Sequence, residues 1–170
     1  MKNLFMLKKI SVLLFLVFIS CNIEQPTQFS EEALNDKVYD LANKEFSFEQ
    51  VLNQHKEKKI LIDIWASWCR DCIVGMPKVK QLQKEFPEVV YLFLSVDTKQ
   101  GSWKRGIQRY NIQGKHYNLP QGTKKGALVD FLNVSWIPRY VVVDENGKIS
   151  MFKATDASDK SIKKAFQKSI

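Results

Sequence analysis

Two cysteines, Cys69 and Cys72, are separated by two residues and are the side chains in this sequence best suited to chemistry. They follow an apolar run of strand length, Ile60–Trp65, and apolar residues at helical spacing come after them. The pair is therefore expected at the start of a helix, where the helix dipole lowers the pKa of the first thiol from about 8.5. Cys69 is then the attacking thiol, and Cys72, one turn later, can displace a partner from it.

Two simpler interpretations of the cysteine pair stay open. The cysteines could supply half of a zinc site, but the other candidate ligands are His55, His116 and carboxylates, and none stands at ligand spacing. They could also form a static structural disulfide, although such a small loop adds little chain-entropy stabilisation. A redox-active disulfide explains the pair better than either.

The segments around the cysteines indicate an α/β domain. Two near-continuous apolar runs, residues 60–65 and 89–96, have the length of strands and a composition that suits strands covered on both faces. Between them, Val79, Leu82 and Phe86 recur at helical spacing. The order strand, helix, strand predicts a mixed sheet with helices on its faces.

Local patterns predict further elements. Residues 47–50 have the S-x-x-Q form of a capping box, which predicts a short helix over about 47–55. Residues 140–143 form an apolar run that Asp-Glu-Asn-Gly joins to residues 148–152, Lys-Ile-Ser-Met-Phe, and this pattern predicts a β-hairpin.

The last part of the chain and one irregular segment complete the expected domain. Residues 158–169 are expected to form a closing helix with Ile162 and Phe166 on its buried side. Residues 98–126 are rich in Lys, Gln and Gly and hint at one helix, and we interpret them as an insert lying on the sheet.

The residues that lead into the cysteine pair are Trp65-Ala66-Ser67-Trp68-Cys69. This stretch resembles the active-site turn of the thioredoxin superfamily, and in particular that of membrane-tethered TlpA-like and ResA-like thiol-disulfide oxidoreductases. Pro77 matches the proline that kinks the active-site helix of the family. The resemblance covers about Phe46 to the carboxyl end. It implies an α/β, thioredoxin-like fold with a mixed central sheet, helices on both faces and an insert of about 25 residues, and it requires no bound cofactor.

The resemblance also implies roles for individual residues. Asp63, six residues before Cys69, matches a buried acid that exchanges protons with the second cysteine, and such a role explains why a strand would bury a carboxyl group. Ile137–Pro138 matches the cis-proline that lies against the disulfide and pairs with an extended substrate segment. Trp68 is expected to line the substrate surface.

The direction of electron flow does not follow from the residues between the cysteines. Arg70 favours a thiolate and Asp71 opposes it. The resemblance implies a reductase that keeps the cysteines of extracytoplasmic proteins reduced and draws electrons from a membrane partner.

The amino-terminal residues predict export and attachment to a membrane. Residues 1–20 combine lysines with an apolar run too short to span a bilayer, which is the profile of a signal peptide. The run ends at Cys21 in a sequence that resembles a bacterial lipobox, so lipid on Cys21 would hold the protein on a membrane surface facing the periplasm. A cleaved secretory signal with an incidental cysteine is the alternative. Residues 21–34 are then a tether and 35–170 the folded domain.

The formal charge of +8 invites a nucleic-acid interpretation, which the pattern does not support. Residues 1–20 carry three lysines and no acid, so the remainder holds +5. The other basic residues are scattered and lack the aromatic interleaving or motif of a nucleic-acid site. We therefore expect no nucleic-acid partner.

Three other functions remain as alternatives to disulfide exchange. A peroxiredoxin-like peroxidase would use Cys69 on peroxide, although such sites have a lone cysteine near a threonine. A copper or other metal chaperone would use Cys69, Cys72 and His116 as ligands. A redox-inert binding module would keep the fold without cycling its thiols. We expect no resident metal.

Overall fold

The computed structural model describes residues 24–168, and the predicted signal segment and Cys21 lie outside this range. Within residues 24–168, seven strands form one sheet in the order β2-β1-β5-β4-β3-β6-β7. The strands are β1 (Lys37–Tyr39), β2 (Glu45–Ser47), β3 (Ile60–Trp65), β4 (Val90–Ser95), β5 (Lys115–Asn118), β6 (Arg139–Val143) and β7 (Ile149–Ala154). The helices are α1 (Glu31–Leu34), α2 (Phe48–Asn53), α3 (Arg70–Glu85), α4 (Gln100–Tyr110), α5 (Ala127–Phe131) and α6 (Lys160–Gln167). None of the helices within residues 24–168 has the length and apolar character that a membrane crossing needs.

The sheet is mixed, as the sequence predicts. The central strands β3, β4 and β5 are parallel to one another, whereas β6 pairs with β3 in the antiparallel sense and β7 does the same with β6. Every residue of β3 is buried, which agrees with its nearly continuous apolar sequence. The strands predicted over 60–65 and 89–96 and the hairpin formed by β6 and β7 are confirmed.

Helices cover both faces of the sheet. Successive side chains of a strand point to opposite faces. On β6, the Tyr140 hydroxyl lies beneath Gly75 of α3, and the neighbouring Arg139 donates hydrogen bonds to carbonyls at the end of α5. The helix α3 and the helix α5 therefore lie on opposite faces, and this confirms the predicted two-sided architecture.

The capping box and the terminal helix are confirmed with small changes of boundary. Ser47 and Gln50 cap α2 reciprocally, and the helix ends at Asn53. The helix α6 begins at Lys160 because the Asp159 side chain accepts a hydrogen bond from the Ser161 backbone amide and so caps the helix there.

Residues 98–126 do not form an insert on top of the sheet. They contain α4 and the strand β5, and β5 lies inside the sheet between β4 and β1. The sequence of β5, Lys115–Asn118, lacks an apolar alternation, so its strand character comes from backbone pairing with β4. Gly114 precedes it at φ +150°, where a Cβ would lie 2.6 Å from the Tyr91 carbonyl oxygen.

The packed part of the chain begins before residue 35, where the sequence suggested a spacer. The Thr27 carbonyl accepts a hydrogen bond of 2.8 Å from the Ile149 amide, so the chain is already attached to the sheet there. The Phe29 ring is buried with its centroid 5.1 Å from that of Phe48 and 5.4 Å from that of Phe131. Phe29, Ala33 and Leu34 are the apolar residues of 24–34, and they are too few to set a periodicity, so the sequence pattern did not predict this packing.

Candidate active site

The cysteine pair lies where β3 passes through a short turn into α3. Cys69 is the N-cap of α3, and its Sγ accepts a hydrogen bond of 3.1 Å from the Cys72 backbone amide. The two cysteines form a disulfide. Cys69 retains 6% of its surface exposed and Cys72 none. Of the two cysteines, Cys69 is therefore the one with surface that reaches solvent.

The segment before β6 forms the other side of this site. The Ile137–Pro138 peptide bond is cis, and the Ile137 carbonyl oxygen lies 3.6 Å from Cys69 Sγ. Trp68, which precedes Cys69, is largely exposed. The fold therefore brings Trp68, the cysteine pair and Ile137–Pro138 together at one end of the sheet.

Asp63 lies beneath this surface on β3. It pairs across the sheet with Tyr140, whose side chain lies against α3, so the two side chains share the face covered by the helix that carries Cys72. Within residues 24–168, neither carboxyl oxygen of Asp63 has a hydrogen-bond partner. Burial raises the pKa of Asp63 to about 8. A carboxyl group with this pKa can take up and release a proton near neutral pH.

Tyr140 shares the environment of Asp63. Its hydroxyl is buried and has no hydrogen-bond partner among the described residues. Burial, and then the charges of Asp63 and Asp156, raise the pKa of Tyr140, so the phenol stays neutral. Asp63 therefore faces a neutral polar group rather than a cation.

Asp97 is a positioning residue that was not predicted from the sequence. Its buried carboxylate accepts hydrogen bonds from the Ser67 amide at 2.8 Å, from the Ser67 hydroxyl at 2.7 Å and from the Ser95 hydroxyl at 2.9 Å. Asn118 supports it by donating to the Asp97 carbonyl at 2.8 Å. These contacts tie the turn before Cys69 to the end of β4. An acid just after a strand parallel to β3 was the available signal, because the carboxyl ends of parallel strands meet at one edge of a sheet.

Arg139 is a second residue that was not predicted. It follows the cis-proline and is buried, with Nη1 donating to the Leu132 carbonyl and Nη2 to the Asn133 carbonyl, both at 2.8 Å. Burial lowers the pKa of its guanidinium. The side chain therefore fixes the segment that leads from α5 toward Ile137–Pro138. A single arginine beside the apolar run 140–143 was the signal for such a role.

The copper site considered from sequence is not assembled in the described part of the chain. His116 stacks on Phe93 with ring centroids 5.4 Å apart, and its Nε2 lies 3.1 Å from the Ile112 carbonyl oxygen. Across residues 24–168, no three His, Cys, Asp or Glu side chains are grouped as metal ligands. His116 therefore does not join the cysteine pair.

Comparison with known proteins agrees with this geometry. Residues 56–149 match the family model described as thioredoxin-like. The thiol-disulfide oxidoreductase ResA of Bacillus cereus is 24% identical over 129 residues, which cover 74% of this chain and 69% of the relative. The thioredoxin-like protein YneN of Bacillus subtilis is 31% identical over 103 residues, which cover 58% of this chain and 57% of the relative.

Solved structures share the fold. The thioredoxin domain of a thiol-disulfide oxidoreductase from Bacteroides vulgatus superposes with a TM-score of 0.63 at 20% identity and covers 81% of this chain and 98% of its own. A thiol-disulfide oxidoreductase from Bacteroides fragilis gives a TM-score of 0.63 at 17% identity, with 78% and 98% covered. The family model matches more than half of the chain, and a disulfide lies at the expected turn. The chain therefore belongs to the thioredoxin-like family and is a thiol-disulfide oxidoreductase.

Proposed function

We propose that this protein reduces disulfide bonds in extracytoplasmic proteins through Cys69 and Cys72, and that lipid on Cys21 holds it at the membrane surface facing the periplasm. The observation that carries the proposal is the Cys69–Cys72 disulfide at the start of α3, with the Sγ of Cys69, the less buried cysteine, 3.6 Å from the Ile137 carbonyl oxygen. The amino-terminal part of the proposal rests on the sequence of residues 1–21 alone.

The reaction begins from the dithiol form. The Cys69 thiolate attacks one sulfur of the partner's disulfide, so that a mixed disulfide forms and the other partner sulfur leaves as a thiolate. The position of Cys69 at the amino end of a helix of 16 residues stabilises the attacking thiolate.

Resolution uses the buried cysteine. The Cys72 thiol loses its proton and attacks Cys69 Sγ, which forms the Cys69–Cys72 disulfide and releases the partner with both of its sulfurs reduced. Asp63 is the proton exchanger for this step. Its burial on the face covered by α3 and its pKa of about 8 support the role, because the group can hold or give up a proton at the pH of the reaction.

Ile137–Pro138 and Trp68 are the proposed substrate platform. The Ile137 carbonyl lies beside Cys69 Sγ, and an extended partner segment that pairs with this backbone would bring its sulfur to the exposed side of the disulfide. Trp68 adds apolar surface next to the attacking sulfur.

The proposed direction of electron flow requires a donor. Each turnover leaves the Cys69–Cys72 disulfide, so a membrane partner must return two electrons before the next turnover. The similarity to ResA and the signal-like segment 1–20 support an extracytoplasmic reductase of this kind.

The test is to trap partners in the native host. Cys72→Ser leaves Cys69 able to form the mixed disulfide but unable to release it, and mass spectrometry then identifies the proteins attached to Cys69. The matched control replaces both cysteines by Ser. A defined set of extracytoplasmic proteins attached to the single variant alone is the expected result. Capture of cytoplasmic proteins only, or equal capture by both variants, would overturn the proposal.

A further inference from the structure

Exposed apolar side chains are concentrated around the cysteine pair. Four large apolar side chains are exposed within residues 24–168: Trp68 at 63%, Val74 at 66%, Trp136 at 61% and Leu41 at 45%. The first three line two adjoining depressions, one of which includes Cys69 in its lining, whereas Leu41 lines neither. A cluster of exposed apolar groups at a reactive centre is typical of an interaction surface.

Trp136 and Asp71 line both depressions, and each depression has a volume of about 280 Å³. Trp68, Cys69 and Ile137 line the first. Val74 and Pro138 line the second. Trp136 therefore borders both the depression that Cys69 lines and the one that Pro138 lines.

Both depressions are open to solvent, and each has room for a side chain of a partner segment. The charges at the rim cancel in the first depression, where Arg70 and Asp71 stand side by side. The electrostatic attraction in the first depression is therefore no stronger for an acidic partner segment than for a basic one. In the second depression Lys78 forms an ion pair with Asp156, at 3.0 Å, so its charge is also offset. The exposed apolar surface of the tryptophans is then the feature that can distinguish one partner segment from another.

We propose that Trp136 is a specificity-determining residue that selects partner segments with a large apolar side chain two positions away from the reacting cysteine. In an extended segment, residues two positions apart project to the same side and are separated by roughly 6 to 7 Å. A segment whose cysteine reaches Cys69 in the first depression then places its second neighbour against the Trp136 ring. The proposal deepens the proposed function and rests on it.

The test measures reduction rates of two peptide disulfides by the full-length reduced protein in detergent. Each peptide has one cysteine, which forms a disulfide with a small thiol. The two peptides differ only at the positions two residues before and two residues after this cysteine, where one has Phe and the other has Ser. Hydroxyethyl disulfide serves as a substrate without side chains. For the unmodified protein we expect the Phe peptide to react roughly tenfold faster, since part of an aromatic ring is buried.

Variants then assign the preference to Trp136. Trp136→Ala is expected to reduce the ratio of the two rates to below twofold, and Trp136→Phe to restore most of it. Leu41→Ala is the matched control, because it also removes an exposed apolar side chain, and it should keep the full ratio. Thermal unfolding of each variant verifies that it is folded.

The outcomes separate this inference from the proposed function. Equal rates for both peptides in the unmodified protein, or an unchanged ratio in Trp136→Ala, would overturn the role of Trp136 while disulfide reduction stands. If neither peptide nor hydroxyethyl disulfide is reduced, the proposed function itself fails.

Discussion

Asp63 is a carboxyl group buried in the centre of the sheet, and within the described residues it has no hydrogen-bond partner. Such a group avoids the cost of a buried charge by remaining protonated. In the folded protein its pKa is about 8, against an ordinary value of 3.8. Between these two pH values the folded state therefore binds one more proton than the unfolded state. The free energy of unfolding falls as the pH rises through this range.

We expect the free energy of unfolding of the oxidised protein to fall as the pH rises from about 4 to about 8. The contribution from Asp63 is fully present below pH 4 and is lost as the pH passes through the folded pKa of about 8. Asp63→Asn keeps a neutral side chain and should flatten this decline by a few kcal/mol, at about 1.4 kcal/mol per pKa unit. Denaturant titrations at pH 4, 6 and 8 measure the effect. Asp130→Asn, at an exposed carboxyl, is the control, and equal slopes in both variants would contradict the expectation.

Asp97 gives a second prediction, which concerns the turn before Cys69. Asp97→Asn replaces an acceptor-only group by an amide that cannot accept all three side-chain and backbone hydrogen bonds, which should lower the free energy of unfolding by about 1 to 3 kcal/mol. The loss should be local. Hydrogen exchange of the Ser67 amide is expected to accelerate by roughly tenfold or more, while amides in α6 remain unaffected. Ser102→Ala removes only a long, exposed contact and is the control. Unchanged exchange at Ser67 would mean that Asp97 does not hold the turn.

At the scale of elements, the helix α4 packs against the active-site turn through a glycine. A Cβ at Gly106 would lie 2.7 Å from Ser67 Cβ and 3.3 Å from the Trp65 ring. A Cβ at Gly101, in the same helix, would meet only the flexible end of Arg105 at 3.2 Å. The two glycines therefore separate the effect of helix propensity from the effect of close packing.

We expect Gly106→Ala to destabilise the protein by about 1 to 3 kcal/mol and to slow disulfide reduction, because α4 or the turn must move. Gly101→Ala should be neutral or slightly stabilising, since alanine favours a helix by up to about 1 kcal/mol. Thermal unfolding and reduction rates of both variants are the measurements. Similar losses in both variants would show that packing on the turn is not the cause.

The elements differ in how far their sequences predicted them. The strand β3 was predicted with its observed bounds because a strand buried on both faces has a distinctive apolar sequence. The strand β5 was missed because it is polar and short, and its neighbours in the sheet hold it in place. The cysteine pair and the cis-proline are marked by sequence motifs. Asp97 and Arg139 stand out in the sequence as charged residues beside apolar strands, but their contacts join residues distant along the chain or within an irregular loop, so the sequence does not identify their partners.

At the scale of the whole molecule, the segment before α1 contacts α2, α5 and β7. Phe29 packs between Phe48 of α2 and Phe131 of α5, on the face of the sheet opposite to the cysteine helix. The same segment reaches β7 through the hydrogen bond between Thr27 and Ile149. The residues from Thr27 to Phe29 are thus attached to the folded domain.

Phe29→Ala should therefore lower the free energy of unfolding by about 3 kcal/mol, because a buried aromatic ring is removed and a cavity remains. Gln28→Ala, at the exposed neighbouring position, should change it by less than about 0.5 kcal/mol. Denaturant titration of the two variants compares them. Equal stability of the two variants would indicate that the segment only rests on the surface.

Two buried charged side chains anchor the segments that border the disulfide. Asp97 holds the turn at Ser67, and Arg139 holds the backbone at Leu132 and Asn133. A binding surface that is held rigid on both sides loses little conformational entropy when a partner segment binds to it. Weak contacts are therefore sufficient for binding that leads to reaction. We therefore expect the pace of exchange to depend on how readily the partner exposes its own sulfur, and not on any rearrangement of this protein.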